Sequence, residues 1–351
     1  MPAPASQDHF LLFCSTGLGD SLFATPAIRF LRRRCPSARI TVVVKWDLRN
    51  LFATNPHIDQ LVEYRNNALW RRLARWRISR DAPYRAVFLF HVGDETVELI
   101  RGVAHERLYC VQALKNTPAH ARRCKVDIVN HRQWEDFAAM VAQEMGGHNG
   151  DFEFVLPLAP QSRKEAAVFY AQFPAVRGPH TGLQLGGSHL GKCWPPDRYA
   201  AIAARMLHRY GGRIFINVIP REKALLEQFM AQVPAEARPR CHPLPQTSIN
   251  GLAALLHELD LFISNDTGPL HVALSQGRPV IALKAHDDTT YPYTLPRETA
   301  LRRCLFVRSE VSTHGKEYQK SHRAMECITV EAVWAEVEGL MGKLNFAPVT
   351  N

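Results

Sequence analysis

Several familiar patterns are missing from this sequence. Its eight cysteines are scattered, with no C-x-x-C pair, which excludes a zinc ribbon and a disulfide framework and makes a reducing cytoplasm the expected setting. Long apolar runs are missing too. Runs such as "FLLFC" and "AVFLF" fall far short of the roughly 20 residues that span a bilayer. The opening "MPAPASQDHF" lacks the basic-then-apolar pattern of a signal peptide, again predicting a cytoplasmic protein. There is no zinc-finger spacing and no RNP-like aromatic strand, so nucleic acid is not an expected partner. No 20–50-residue repeat and no low-complexity tract occurs.

What is present is the composition of a soluble globular chain, 46% hydrophobic and 22% charged over 351 residues, enough for two domains with separate cores. Basic residues outnumber acidic ones, for a net charge of +10. The excess concentrates in "RNNALWRRLARWRISR" (65–80), with six arginines and no acid. Leu69, Leu73 and Trp76 recur there at helical spacing, so the segment reads as a basic amphipathic helix or loop. It is either a solvated Arg-rich face or a contact for a phosphorylated acceptor or an anionic membrane through Arg71, Arg72, Arg75, Arg77 and Arg80.

Short apolar strands alternate with helical patterns. Strands are expected at 9–15, 38–44, 84–90 and 106–112, and a helix over 131–147. A Pro-bearing stretch at 156–180, with one helical segment, reads as a connection. The rhythm then resumes, with strands at 181–187, 213–219, 261–265 and 279–284 and helices at 196–212, 221–233, 248–260, 269–277 and 329–344. This is an α/β pattern of two Rossmann-like domains facing a cleft, with ligands beyond the carboxyl ends of the strands. The expected boundaries are 1–160 and 175–330. A C-terminal helix over 329–344 is free to pack back on the N-terminal domain.

Four strand-to-helix junctions carry candidate chemistry. In "STGLGDSLFATPAIRF", Gly17 and Gly19 permit a tight turn, but the third glycine of a dinucleotide fingerprint would fall at Leu22. Asp20 is left at the end of the first strand, as a catalytic carboxylate or a helix-cap one, with Thr25-Pro26 as N-cap and N1 of the next helix. In "LGGSHLGKCWPP", Ser188 and Lys192 offer a hydroxyl and an ammonium to a phosphate, or form an ordinary exposed turn. In "NVIPREKALL", Glu222 suits a helix dipole or the hydroxyls of a ribose. In "SNDTGPLHVA", Asp266 and Thr267 stand where a strand stops, Gly268 allows close approach, and Pro269 begins a helix whose free N–H groups suit an anion. His271 points near the same place. "DDTT" (287–290) is read as solvated rather than as a metal site.

Together these stretches resemble the heptosyltransferases, glycosyltransferase family nine, over nearly the whole chain. "GLGDSLFATPA" is similar to that family's G-D-x-x-x-x-T-P-A opening, "GKCWPP" to its K-x-W-P segment, and "SNDTGPLH" to its S-x-D-T-G-x-x-H signature. The resemblance implies a GT-B fold whose N-terminal domain takes the acceptor and whose C-terminal domain holds an ADP-heptose donor. It implies Asp20 as general base, Lys192 on the donor's phosphate or sugar, and Glu222 on its nucleoside. Asp266 would meet the sugar, Thr267 and Gly268 the diphosphate, and His271 matches the family histidine; Ser188 is a looser match. The implied activity is inverting transfer of heptose to a lipopolysaccharide core or other glycan acceptor, with the nucleotide sugar as substrate and neither metal nor cofactor. After "PVIAL" this chain reads "KAHDDTTYPYTLP" where many members carry a Gly-Pro-Thr-like turn, which leaves room for another nucleotide sugar or a protein acceptor. A nucleotide-binding protein without catalysis is the remaining alternative.

Overall fold

Runs such as "RITVVVK" and "VIALK" are apolar on both faces, the mark of strands covered by helices above and below. The computed structural model describes residues 8–15, 17–91, 93–110, 133–150, 153–284, 301–306 and 319–349. It divides into two units, Met1–Pro157 and Leu158–Asn351.

The first unit is a parallel sheet of β1 (His9–Cys14), β2 (Arg39–Lys45), β3 (Gln60–Tyr64), β4 (Tyr84–Leu89) and β5 (His105–Cys110), in the order β3-β2-β1-β4-β5. Its helices are α1 (Leu18–Phe23), α2 (Thr25–Arg34), α3 (Arg49–Phe52), α4 (Ala68–Arg80), α5 (Asp94–Ile100) and α6 (Gln133–Met145). The second unit is a parallel sheet ordered β11-β10-β9-β6-β7-β8. Its strands are β6 (His180–Gln184), β7 (Arg213–Asn217), β8 (Cys241–Pro243), β9 (Leu261–Asn265), β10 (Val280–Lys284) and β11 (Arg302–Phe306). Its helices are α7 (Pro160–Tyr170), α8 (Pro196–Arg209), α9 (Lys223–Gln232), α10 (Ile249–His257), α11 (Gly268–Ser275) and α12 (Val330–Lys343). Both sheets are of the Rossmann type. Each is wound outward in two directions from its middle, so it reverses at one place, between β1 and β4 in the first unit and between β6 and β9 in the second. Crevices for ligands open at such reversals.

Two expectations change. The stretch 156–180 is not a free connection, because α7 belongs to the second unit. The N–H of Ala159 donates to Asn250 Oδ1 (2.8 Å), Tyr170 donates to the Leu255 carbonyl (2.9 Å), and the Tyr170 and Phe173 rings pack on Phe215. The last helix, α12, packs on α8, β10 and β11 of its own unit. Val333, Val337, Leu340 and Met341 are wholly buried there, and Glu331 and Glu336 pair with Arg205 and Arg303 (3.1 and 3.0 Å). Thr25 is the first residue inside α2 rather than its cap, because α1 ends at Phe23 and the single residue Ala24 caps both helices. Its buried hydroxyl donates to the Leu22 carbonyl (2.7 Å) and accepts from the N–H of Val155 (2.9 Å). Within the segment 65–80, Ala68–Arg80 form the helix α4, capped by Asn67, whose side chain accepts from the N–H of Trp70 at 3.0 Å. "DDTT" and most of "KAHDDTTYPYTLP" lie outside the described residues.

Candidate active site

The neighbouring strands β10, β9, β6 and β7 all point the same way, so the loops that follow them emerge side by side at one edge of the second sheet. Those loops carry Lys192, Glu222, Asp266 and Thr267.

Asn265, the last residue of β9, fastens the group. Its Nδ2 donates to the carbonyls of Gln184, Leu185 and Gly186 (3.1, 3.0 and 3.2 Å). Its Oδ1 accepts from the N–H of Trp194 (2.9 Å) and the hydroxyl of Tyr199 (3.1 Å). The Trp194 indole N–H in turn donates to the Ile328 carbonyl (2.8 Å). The "WPP" turn and the glycine loop are thereby tied to the strand that ends in Asp266. Every one of these partners is buried, where such bonds are costly to leave unmade.

Glu222 closes a short 3-10 turn (Pro220–Glu222) after β7, and its Oε2 accepts from the N–H of Ile219 at 3.1 Å. Burial pushes its carboxyl above the ordinary range, against the pull of that bond and of Arg221. It sits where a side chain at position 186 would be. A Cβ on Gly186 would fall 1.9 Å from the Glu222 carboxyl carbon. A Cβ on Gly187 would lie 3.1 Å from Cys193 Sγ, 3.5 Å from Thr267 Cγ2 and 3.6 Å from Lys192 Cβ. The glycines thus leave room for Glu222, Lys192 and Thr267 to crowd one small volume. Ser188 is exposed on the same loop.

Asp266 follows β9, and Thr267 is the N-cap of α11 in extended conformation. The half-buried Asp266 lies between two basic groups, His271 Nε2 at 3.7 Å from Oδ1 and Lys284 Nζ at 3.6 Å from Oδ2. Burial drives the His271 pKa down to about 4; Asp266 pulls it upward, and Lys284 and Lys192 push it further down. The imidazole is therefore neutral at pH 7, and its contact with Asp266 is not an ion pair. Lys284, only 2% exposed at the end of β10, is the lysine against that carboxylate. Sequence reasoning missed both Lys284 and the bracing by Asn265. Lys284 reads as the polar end of an apolar strand, and the partners of Asn265 lie some 66–81 positions away. Lys192, Lys284 and the positive N-terminal end of α11 suit a diphosphate.

In the first unit Asp20 lies in the first turn of α1, beside the reversal between β1 and β4. Gly17 is the exposed N-cap of that helix and Gly19 is half-buried. A Cβ on Gly17 would sit 3.5 Å from Asp20 Oδ2, so the carboxylate leans back over the helix start. Next to it at this edge, Ser15 shares a hydrogen bond with Thr96 (3.4 Å), and Tyr64 donates to Glu95 (3.1 Å), which also pairs with Lys45 (3.3 Å). His91, after β4, is held down to about 4 by burial, edge-on to Phe137. Among the described residues no three His, Cys, Asp or Glu side chains are grouped to hold a metal ion.

Residues 114–322 match glycosyltransferase family 9 (heptosyltransferase). The chain is 23% identical over 295 residues to the lipopolysaccharide core heptosyltransferase OpsX of Haemophilus influenzae, covering 79% of this chain and 80% of that protein. Among solved structures, it superposes on the family 9 glycosyltransferase of Veillonella parvula with a TM-score of 0.85 and 20% identity, over 97% of this chain and 99% of that one. The ADP-heptose heptosyltransferase II of Escherichia coli gives a TM-score of 0.74 at 16% identity, over 96% and 99%. The fold is the two-domain Rossmann arrangement of these enzymes, GT-B.

Proposed function

The chain belongs to glycosyltransferase family 9, the heptosyltransferases, and on that premise we propose that it moves heptose from ADP-heptose to a lipopolysaccharide-core acceptor with inversion at the anomeric carbon. The observation that carries this reading is the convergence of Lys192, Glu222, Asp266 and Thr267 at one sheet edge, braced by Asn265.

Each group has a task in such a reaction. Glu222 accepts hydrogen bonds from ribose hydroxyls in the space that Gly186 leaves open. The diphosphate lies on the N-terminus of α11 at Thr267 and Gly268, with Lys192 against its charge and the exposed Ser188 able to donate a further hydrogen bond. Asp266, held by Lys284 and His271, faces the sugar. As the bond from the anomeric carbon to the diphosphate breaks, the acceptor hydroxyl oxygen bonds to that carbon from the opposite face. Its proton passes to Asp20, and ADP leaves with the bonding pair. Fixed cations and helix N–H groups offset the growing negative charge without a metal. No helix among the described residues is long and apolar enough to cross a membrane. On its scattered cysteines, with no C-x-x-C pair, we place the protein in the cytoplasm.

Titration calorimetry with ADP, GDP and UDP tests the donor. ADP binding is expected, and UDP binding without ADP binding sinks the heptose assignment. The mass of the sugar added to lipopolysaccharide extracted from a deletion strain tests the acceptor. Transfer to a protein instead, or donor binding without transfer to any acceptor, would replace this reading with one of its alternatives. Activity should survive EDTA; loss that magnesium restores would overturn the metal-free mechanism.

A further inference from the structure

Helix α4 has two apolar faces, and only one is covered. Ala74 and Ile78 are buried against the first sheet, and Tyr84 donates to the Ile78 carbonyl (2.9 Å). Leu69, Leu73 and Trp76 point to solvent, 75%, 39% and 57% exposed, three of the eight large apolar side chains exposed among the described residues. Their spacing is i, i+4, i+7. At 3.6 residues per turn they and Arg80 share an arc of about 60°, opposite Ala74 and Ile78. The exposed Arg72 and Arg77 flank that arc on its two sides.

The charge around the stripe has one sign. No acidic residue occurs from Arg65 to Arg80. Arg71 is turned to Glu98 on α5 (3.3 Å) and takes no part. Arg80 lies 5.0 Å from the Trp76 ring and 3.6 Å from Asp81, the acid just beyond the helix. At the other end Arg65 stacks on Trp46 and Trp70 (4.2 and 4.9 Å), and Arg49 on Trp46 (3.9 Å), so the start of the helix is anchored.

We propose that the Leu69–Leu73–Trp76 stripe and the arginines around it form a docking surface for an anionic lipid bilayer. A soluble phosphorylated glycan would use the arginines but leave the leucines in water. An apolar protein surface would cover the leucines but strand the arginines. A bilayer surface accommodates both, with leucines at the acyl boundary, the indole at headgroup depth and guanidinium groups on lipid phosphates. This surface is separate from the residues assigned to transfer, so the two readings stand or fall independently.

The test is flotation of the full chain with vesicles of phosphatidylcholine alone or mixed equally with phosphatidylglycerol. Binding to the mixed vesicles only, released by salt, is expected. Arg72→Gln/Arg77→Gln/Arg80→Gln should lower partitioning about 100-fold at low salt, roughly fivefold per arginine. Leu69→Ser/Leu73→Ser/Trp76→Ser should lower it about tenfold or more. Both variants should keep the wild-type melting temperature and ADP affinity, which separates lost docking from misfolding and from the donor site. As a second measurement, acyl-brominated lipids should quench a fraction of tryptophan emission that is missing in Trp76→Phe. Equal binding to pure phosphatidylcholine, unchanged binding in either triple variant, or quenching unaltered in Trp76→Phe overturns the proposal. So does self-association in sedimentation that the serine variant abolishes while vesicle binding persists.

Discussion

The two units present polar groups at the carboxyl edge of a parallel sheet by different means. In the second unit the functional side chains are backed by buried polar groups. Asn265 bonds to three carbonyls and two donors, and Lys284 and His271 lie against one carboxylate. In the first unit the equivalent loop is a six-residue helix with an exposed cap, and Asp20 leans on its own turn. On the proposed reading the second unit holds a nucleotide, whose fixed dimensions and fixed charge favour a rigidly built site. The carboxylate proposed to take the acceptor's proton stands instead in the first turn of a short helix.

The sharpest break between the two is Asp20→Asn. It removes a base while keeping size, so turnover should fall by about 10²–10⁴-fold with ADP affinity unchanged. Near-normal turnover, or ADP affinity lost in step with activity, would make Asp20 a structural cap. Next in size is Asn265→Ala. It strands buried carbonyls and the Trp194 N–H, and chemical denaturation should show a loss of roughly 3 kcal/mol or more. A loss within a few tenths of wild type would mean that the loops hold themselves.

Acid compares the units directly, because each has one buried histidine at its site edge, His91 and His271, held near 4 against an ordinary 6.5. Between those values the unfolded chain binds protons that the folded one refuses. Stability is therefore full above pH 6.5 and falls as pH drops toward 4, by about 1.4 kcal/mol per pH unit for each histidine. Glu222, shifted upward, works in the opposite direction. Melting temperatures across this window should flatten in His91→Phe and in His271→Asn; unchanged slopes would place the acid sensitivity elsewhere. The smallest effect is expected from Lys284→Met, about tenfold weaker ADP-heptose binding, with Lys284→Arg restoring part of it. Equal affinity in both would leave Lys284 as packing.

The strands that line the site were legible because each is a short apolar run stopped by glycine or a polar cluster, and the βα rhythm implied a common edge for the loops. The edge strands β3, β8 and β11 were not, since "QLVEY", "CHP" and "RRCLF" mix polar and apolar residues with no clear period. Asp266 and Glu222 announced themselves by position. Lys284 did not, because what distinguishes it is a contact with a residue on the neighbouring strand. In α4 the spacing of Leu69, Leu73 and Trp76 was visible, but spacing alone does not say which side faces the core. Ala74 and Ile78 took that side.

The 1.9 Å between a side chain that Gly186 does not have and the carboxyl of Glu222 has a consequence for descent. Two groups that need the same volume cannot both be present, so the two positions should covary across relatives. A lineage that places alanine or serine at 186 should have given up the glutamate or moved it, and with it the nucleoside contact proposed for it. The glycine would then be the more readable marker of nucleotide preference, because it records the presence of its neighbour in a position that tolerates nothing else.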